Sequence, residues 1–275
     1  MPEQPNERPL SAPARRARIL AHIQTVGGAS LAELAHDYAV STITVHRDLE
    51  QLSREGLVER FHGGARAVSG SRAGRIETAW DRRLREAGGA KDAIAAHARA
   101  MIPDGATIFL DASSTCFALA HRLELEPPEE LSIVTNSPAI ALGLESGSVR
   151  VIMAPGEVDL RMRVIADGWT LDFLRRVSMD VAFVSGAGLD LEHGLTTSRR
   201  QVADALNAAR EAAARTVALV DATKFGRSSL VPIAAAKDFD AVVSDSGLED
   251  DVVSEYRAAG VELEIAPELA PDDEY

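Results

Sequence analysis

The stretch at residues 40–66 constrains this chain more than any other. Ser41 is a suitable helix N-cap, and Val45, Leu49 and Leu52 recur at helical spacing, so one face of the helix that follows turns inward. The residues left on the outward face are Thr42, Thr44, His46 and Arg47. Because such side chains bind base edges and phosphates, the pattern predicts a DNA-recognition helix.

The flanking segments complete a small domain at residues 14–68. An apolar helical stripe precedes Gly27–Gly28, and Ser30 with Glu33 forms a capping box that opens a second helix. A tight turn at residues 38–40 leads into the recognition helix. Two short strands then meet at Gly63–Gly64, where a hairpin needs positive φ. This order of elements predicts a winged helix-turn-helix.

Residues 15–66 resemble the amino-terminal domain of the DeoR/GlpR family of bacterial transcriptional regulators. The resemblance rests on the Val-Ser before the recognition helix, on residues 44–49 and on the His-Gly-Gly-Ala of the wing. The family usually carries two arginines before the Asp-Leu, whereas this chain has His46 and Arg47, which makes DNA affinity sensitive to pH. The predicted DNA contacts are Arg15, Ser41, Thr42, Thr44, His46, Arg47, Arg60, His62 and Arg66. The alternative is a three-helix module that binds a protein partner.

Charge limits how such a domain binds DNA. Residues 1–72 hold nine Arg against eight Asp plus Glu, a net of +1, while the whole chain carries −13. The remaining residues therefore carry −14. The DNA-binding domain, called the reader below, is nearly neutral and is attached to an acidic body. It must therefore bind DNA through a local basic stripe, and nonspecific binding along DNA is not expected.

Length and composition set the remaining bounds. A chain of 275 residues suits this reader plus one larger domain. Its one cysteine, Cys116, excludes an intrachain disulfide framework and fits the reducing cytoplasm. No apolar run in the sequence is long enough to predict a membrane span. Residues 1–13 are expected to be a disordered tail, 69–90 a linker with a helix docked by Trp80 and a flexible point at Gly88–Gly89, and 267–275 an acidic tail.

The body at residues 91–266 alternates strand and helix. The expected strands lie at 107–111, 133–135, 149–153, 181–184, 216–220 and 241–243. Helical patterns separate most of them, at 116–125, 138–145, 171–177, 202–214 and 248–259. Buried strands joined by helices predict an α/β domain with a mainly parallel sheet.

Polar residues follow four of these strands, where ligands bind in such sheets. The corners begin at Asp111, Asn136, Ser185 and Asp221, and the first also supplies hydroxyl groups before a helix start, a favourable place for an anion. Each corner alone is more simply a turn, but their recurrence predicts one pocket for a small polyhydroxylated ligand. Cys116 is expected to be a buried thiol, and the histidines show no metal-ligand spacing, so neither a metal nor a cofactor is predicted.

The resemblance to the DeoR/GlpR family extends over this body. It implies a sensor domain like the ribose-5-phosphate isomerase fold that binds a phosphorylated sugar or related metabolite. The implied effector contacts are Lys91, Asp111, Ser113, Ser114, Thr115, Asn136, Gly186, Asp190 and Lys224. The chain departs from the family in its first loop, where Ser113 replaces a glycine, in Ala154-Pro-Gly156, and in the helix after Thr197, which lacks the usual lysine.

These patterns predict a cytoplasmic regulator that represses a carbohydrate or related catabolic operon and leaves its double-stranded DNA operator when a metabolite, expected to be a sugar phosphate, binds. Because symmetric operators are read by pairs of readers, a homodimer or homotetramer is expected. One alternative is a sugar-phosphate isomerase-like enzyme that uses Asp111, Asp190 or Lys224 in acid-base catalysis. Another is an activator, which the sequence does not separate from a repressor.

Overall fold

The structure, a computed structural model, describes residues 12–26, 28–38, 40–54, 56–61, 64–67, 79–144 and 147–269. These residues fall into two compact units, one within Met1–Ile76 and one within Glu77–Tyr275. Residues 69–78 of the predicted linker and most of both predicted tails lie outside the described residues.

The first unit contains three helices and a small sheet among its described residues. The elements are α1 Ala12–Val26, β1 Gly28–Ser30, α2 Leu31–Asp37, α3 Thr42–Arg54, β2 Val58–Phe61 and β3 Gly64–Ala67. The strands pair antiparallel in the order β1-β3-β2, so β2 and β3 form the wing. Helix α1 begins at Ala12, two residues inside the predicted tail, because Pro13 is favourable in a first helical turn.

Sequence signals explain the helix starts in this unit. The Ser30 hydroxyl accepts from the Glu33 N–H at 3.2 Å, and the Glu33 carboxylate accepts from the Ser30 N–H at 2.8 Å, which confirms the predicted capping box. Ile19, Ile23, Val45 and Leu49 are fully buried in the common core. The predicted inward stripe is therefore the face on which α3 packs.

The second unit alternates strands and helices as predicted. Its elements are α4 Ala79–Arg85, α5 Gly88–Arg99, β4 Thr107–Leu110, α6 Ser114–Leu125, β5 Ser132–Thr135, α7 Pro138–Gly143, β6 Arg150–Met153, β7 Val158–Asp159, β8 Val164–Ile165, α8 Gly168–Leu174, β9 Met179–Val184, β10 Gly188–Asp190, β11 Gly194–Thr197, α9 Arg200–Glu211, β12 Ala213–Leu219, β13 Val231–Ala234, β14 Ala241–Asp245, α10 Asp250–Ala258 and β15 Leu263–Ala266.

A seven-stranded sheet organises this unit, in the order β15-β14-β12-β9-β4-β5-β6, and every neighbouring pair is parallel. Helices cover both faces of the sheet, and the sheet separates two apolar cores. This confirms the α/β fold with a mainly parallel sheet. The sequence analysis missed β15 and the small antiparallel sheet β10-β11-β13, whose short strands carry only a weak alternating pattern.

The segment before the sheet departs from expectation at one point. Gly88 and Gly89, predicted to be flexible, form the first turn of α5, because the break in the helix falls one residue earlier, at Ala87 with φ of 53°. Helix α4 is docked as predicted by Trp80, which packs edge-on against Phe117 with ring centroids 5.2 Å apart. Among the described residues, no helix has the length and apolar character needed to cross a membrane.

Candidate functional site

The outward face of α3 presents its polar side chains to solvent. Thr42, His46 and Arg47 are exposed, as is Ile43, with 66% of its surface accessible. Ser41 and Thr44 are engaged in the cap, because the Ser41 hydroxyl accepts from the Thr44 N–H at 3.2 Å. An exposed isoleucine at the start of such a helix suits contact with a thymine methyl group. Sequence reasoning missed Ile43, because it reserved the outward face for polar residues.

The recognition helix and the wing are joined by a direct side-chain contact. Arg60 on β2 approaches His46 on α3, with Arg60 Nη2 and His46 Nε2 2.8 Å apart. A guanidinium group can only donate, so His46 Nε2 must be the acceptor, and the ring is unprotonated at that nitrogen in this arrangement. Two predicted DNA contacts therefore form one structural pair.

Arg15 does not join this surface. Its Nε donates to Asp48 Oδ2 at 2.6 Å, its side chain is only 13% exposed, and Asp48 is buried inside the reader. Arg16 lies 3.6 Å from the other carboxylate oxygen. The geometry gives Arg15 a structural partner, in place of the phosphate that the sequence predicted, because the Asp48 carboxylate must be neutralised where it is buried.

The remaining predicted contacts lie on the wing. Arg66 on β3 is exposed and pairs with Glu59 at 2.9 Å, and such exposed pairs contribute little stability and are readily exchanged. His62 lies outside the described residues, as does Gly63 of the predicted hairpin turn, whereas Gly64 begins β3.

A cleft lies beyond the carboxyl ends of β4, β5 and β9 in the second unit, where a parallel sheet binds ligands. The loops after these strands supply most of its polar wall, and α4 and α9 supply side chains from either side. The lining residues are Arg83, Asp111, Ala112, Ser113, Asn136, Met162, Val164, Ser185, Gly186, Ala187, Thr197, Ser198, Val202 and Leu206. Four predicted effector contacts thus meet there: Asp111, Ser113, Asn136 and Gly186.

Asp111 organises the loops of the cleft. One carboxylate oxygen accepts from the Ser113 N–H and the other from the Ser185 N–H, each at 2.9 Å. These bonds tie the loop after β4 to the loop after β9. Ser113 in turn caps α6, since its hydroxyl accepts from the Cys116 N–H at 3.0 Å. The start of α6 therefore faces the cleft with a fixed backbone.

Asn136 leaves an acceptor without a partner. Its Nδ2 donates to the Ile165 carbonyl at 3.0 Å, which sets the orientation of the amide. Its Oδ1 is buried and has no hydrogen-bond partner among the described residues. Because an unsatisfied buried acceptor is costly, this oxygen suits a donor supplied from the cleft, such as a hydroxyl group.

Gly186 is required by a close backbone approach. A Cβ at this position would lie 2.6 Å from the Thr196 carbonyl oxygen and 2.7 Å from Leu195 Cδ1. Glycine lets the loop after β9 lie against β11 and bring Ser185 and Ala187 to the cleft.

Lys224 does not line the cleft, but it contacts Ser185, which does. Its Nζ donates to the Ser185 hydroxyl at 3.2 Å and lies 3.4 Å from Asp221 Oδ2. Burial acts to raise the pKa of Asp221, but Lys224 and the Thr223 hydroxyl outweigh it, so the net pKa of this carboxyl is lowered. Asp221 thus neutralises the positive charge of Lys224, which leaves less of that charge for a ligand.

The other predicted effector contacts lie away from the cleft. Lys91 donates to the Arg83 and Glu86 carbonyls and caps the end of α4, and burial lowers the pKa of its amine. Asp190 caps the turn after β10, accepting from the His193 N–H at 2.5 Å. Ser114 and Thr115 are buried in the first turn of α6. Lys91 and Asp190 thus serve the local fold in this geometry, whereas the Thr115 hydroxyl has no hydrogen-bond partner among the described residues.

Arg83 is the cleft residue that the sequence analysis did not identify. It lies on α4, which the sequence indicated as a connecting helix docked by Trp80, and no local signal distinguished Arg83 from its charged neighbours. Burial lowers the pKa of its guanidinium, and attraction to Asp111 opposes that shift. No group of His, Cys, Asp and Glu among the described residues is arranged to hold a metal ion.

The reader and the cleft together define a DNA-binding transcriptional regulator with a sensor domain. Two family matches agree: the DeoR-like helix-turn-helix domain matches residues 15–70, and the DeoR C terminal sensor domain matches residues 86–246. The chain therefore belongs to the DeoR family of transcriptional regulators.

Curated relatives match over nearly their whole length. The chain is 32% identical to the HTH-type transcriptional regulator GlpR of Haloferax volcanii, over 90% of this chain and 95% of that protein. It is 30% identical to the glycerol-3-phosphate regulon repressor of Escherichia coli, over 91% and 98%. It is 29% identical to the L-fucose operon activator of Haemophilus influenzae, over 85% and 92%.

One similar solved structure overlaps this chain only in part. Ribose 5-phosphate isomerase A from Neisseria gonorrhoeae aligns with 49% of this chain and 52% of its own at 12% identity, with a TM-score of 0.38. The fold assignment therefore rests on the strand order and on the family matches.

Proposed function

We propose that this protein is a repressor of a carbohydrate or related catabolic operon and that a small metabolite, a phosphorylated sugar, releases it from its operator. The exposed face of α3 carries the proposal, because Thr42, Ile43, His46 and Arg47 face solvent beside the wing. The names of the Escherichia coli and Haloferax volcanii relatives support regulation of this type.

The cleft is the proposed effector site. Its hydroxyl groups, its unsatisfied Asn136 oxygen and the start of α6 suit a ligand with hydroxyl groups and an anionic group. A ligand that prefers the conformation unable to bind DNA weakens operator binding by its differential affinity, typically about 1–3 kcal/mol. Proteins that act on DNA in this way work in the cytoplasm, where we place this one.

We further propose that the protein works as a homodimer or homotetramer, since symmetric operators are read by pairs of readers. Its surface offers apolar side chains that suit self-association: Leu142 is 80% exposed, Leu160 76% and Trp169 68%. Sedimentation at low micromolar concentration tests this, and a monomer that still binds a symmetric operator tightly would contradict it.

An enzymatic role is less well supported by the geometry. Among the described residues that line the cleft, Asp111 is the carboxylate, and both of its oxygens already accept backbone N–H groups. Asp190, another candidate base, lies away from the cleft in the turn after β10. A cleft that only binds an effector needs no free catalytic base, and this arrangement agrees with such a role.

The test begins with selection of genomic fragments by the purified protein at about 0.15 M salt, because DNA affinity depends steeply on salt. The selected fragment is then titrated by fluorescence anisotropy, with and without sugar phosphates and the parent sugars. Tight, selective binding that one phosphorylated compound weakens is expected. Binding that no compound changes would remove the effector from the proposal, and absence of selective binding would overturn it.

Two variants on α3 sharpen this test. Arg47→Ala is expected to abolish selective binding, because an exposed guanidinium on the outward face of the helix is lost. Arg54→Ala is the matched control, since it removes the same charge at the far end of the helix, where Arg54 pairs with Glu50 at 2.5 Å. Equal loss in both variants would indicate a general charge effect. The position of the operator relative to the promoter separates repression from the activation that the Haemophilus influenzae relative's name describes.

A further inference from the structure

We infer that Arg83 on α4 is the anion-binding residue of the cleft and that the effector carries a phosphate or carboxylate at one end and a hydroxyl group, for Asn136, at the other. This inference rests on the proposed effector-sensing function and assigns the chemistry of the same cleft. Three observations support it: the unpaired state of Arg83, the compensation of the nearby lysines and the orphan acceptor of Asn136.

Arg83 is the one lysine or arginine among the described residues that line the cleft. Its guanidinium makes no hydrogen bond or ion pair with any residue that the structure describes. Asp111 attracts it electrostatically, but both Asp111 oxygens are engaged by backbone N–H groups at 2.9 Å. A half-buried cation without a hydrogen-bonded partner is unfavourable unless a ligand supplies the acceptors.

The other cations near the cleft are already engaged. Lys224 is held by Asp221 and donates to Ser185, and Lys91 donates to the backbone carbonyls of Arg83 and Glu86. Helix α9 presents Val202 and Leu206 to the cleft and contributes no cation. Among the described residues that line the cleft, the positive charge available to a ligand is therefore that of Arg83, and Lys91 fixes the end of the helix that carries it.

The start of α6 completes the anion site. Ser113 caps this helix of twelve residues, and Ala112 and Ser113 line the cleft. An anion between the helix start and Arg83 would receive charge-assisted hydrogen bonds from a planar guanidinium fork. The Asn136 Oδ1, buried and unpartnered, then accepts from a hydroxyl group elsewhere on the ligand. The cleft thus recognises a hydroxylated anion from two directions.

The test uses the full chain and measures its thermal unfolding in sodium phosphate and in sodium chloride at equal ionic strength. Calorimetric titration follows, with sugar phosphates, sugar acids and the parent neutral sugars. Wild type is expected to be stabilised by phosphate and to bind one of the anionic classes, since a ligand that binds only the native state raises the melting temperature. The two classes of compound separate a phosphate effector from a carboxylate one.

Arg83→Gln is expected to weaken anion binding about 10- to 100-fold, the usual loss when a charge-assisted hydrogen bond is removed. The matched control is Arg82→Gln, which removes the same charge from the adjacent, exposed position on α4 and is expected to bind as wild type does. Arg83→Lys should retain part of the affinity, because it keeps the charge and loses the planar fork.

Equal binding by Arg83→Gln and wild type would overturn the inference, as would equal affinity for neutral sugars and anions, or no response of wild type to any anion. None of these results alters DNA selection without effector, so the regulator proposal would survive them. Conversely, failure to select DNA would leave the anion titrations and the role of Arg83 intact.

Discussion

Asp48 provides the sharpest test of how the reader is built. Its side chain is 5% exposed and accepts from Arg15 Nε at 2.6 Å, with Arg16 3.6 Å away on the other oxygen. Replacement by alanine removes the Asp48 carboxylate from the Arg15 cation, whose side chain is 13% exposed, and breaking such a buried pair costs about 3–5 kcal/mol. A domain of this size has roughly 3–8 kcal/mol in total, at typical stability per residue. Asp48→Ala should therefore unfold much of the reader.

The assay is hydrogen exchange of the full chain, read on peptides from α1 and α3. A loss of about 3 kcal/mol corresponds to an opening equilibrium about 100-fold more favourable, whereas the sheet of the second unit should keep its protection. Glu50→Ala is the matched control on the same helix. It breaks an exposed pair with Arg54 and should cost less than about 1 kcal/mol.

The double variant Arg15→Met with Asp48→Leu decides between the two roles of Arg15. Replacing a buried ion pair by apolar residues of similar size is often neutral, so protection should return. If operator affinity returns with it, Arg15 is structural. A stable double variant that no longer binds DNA, or an Asp48→Ala variant that loses DNA binding with full protection, would refute this reasoning and restore Arg15 as a DNA contact.

Three further predictions concern the second unit. Asp167 accepts from the Glu157, Trp169 and Thr170 N–H groups, and the first of these bonds contributes most to lowering the pKa of its carboxyl. A lowered folded-state pKa stabilises above the unfolded value near pH 4 and loses that effect as the pH falls further, so Asp167→Ala should cost about 1 kcal/mol at pH 7 and almost nothing near pH 2 in urea titrations. Burial raises the pKa of the Cys116 thiol, so this residue should resist alkylation at pH 8 until the protein is unfolded, and rapid native labelling would contradict that. Gly186→Ala should weaken effector binding and leave operator affinity unchanged, because its Cβ would meet the Thr196 carbonyl oxygen; unaltered calorimetric affinity would show that the loop does not shape the site.

Local patterns account for what could be predicted in the cleft. Strand ends followed by Asp111 and Asn136 pointed to one edge of the sheet, and the parallel order brings those loops together. The partners of each side chain could not be predicted in the same way. Asp111 accepts from a backbone N–H that is 74 positions away, and no local pattern reports such a contact.

The fates of the basic residues show the same limit. The sequence indicated Lys91 and Lys224 as effector contacts and gave Arg83 no role, whereas in the structure both lysines already have partners and Arg83 lines the cleft. The type of a side chain shows what it can bind. Its packing decides whether that capacity is already used.

By itself, the sequence determined the recognition helix, its capping boundaries and the alternation of strands and helices, because helix periodicity, caps and buried strands are signals carried by neighbouring residues. The tertiary structure alone decided that Arg15 turns inward to Asp48, 33 positions away, that Arg60 meets His46, and that Arg83 faces the cleft. The physical reason is that charge and hydrogen-bond partners are assigned by distance in space, which the fold sets and the order of residues does not.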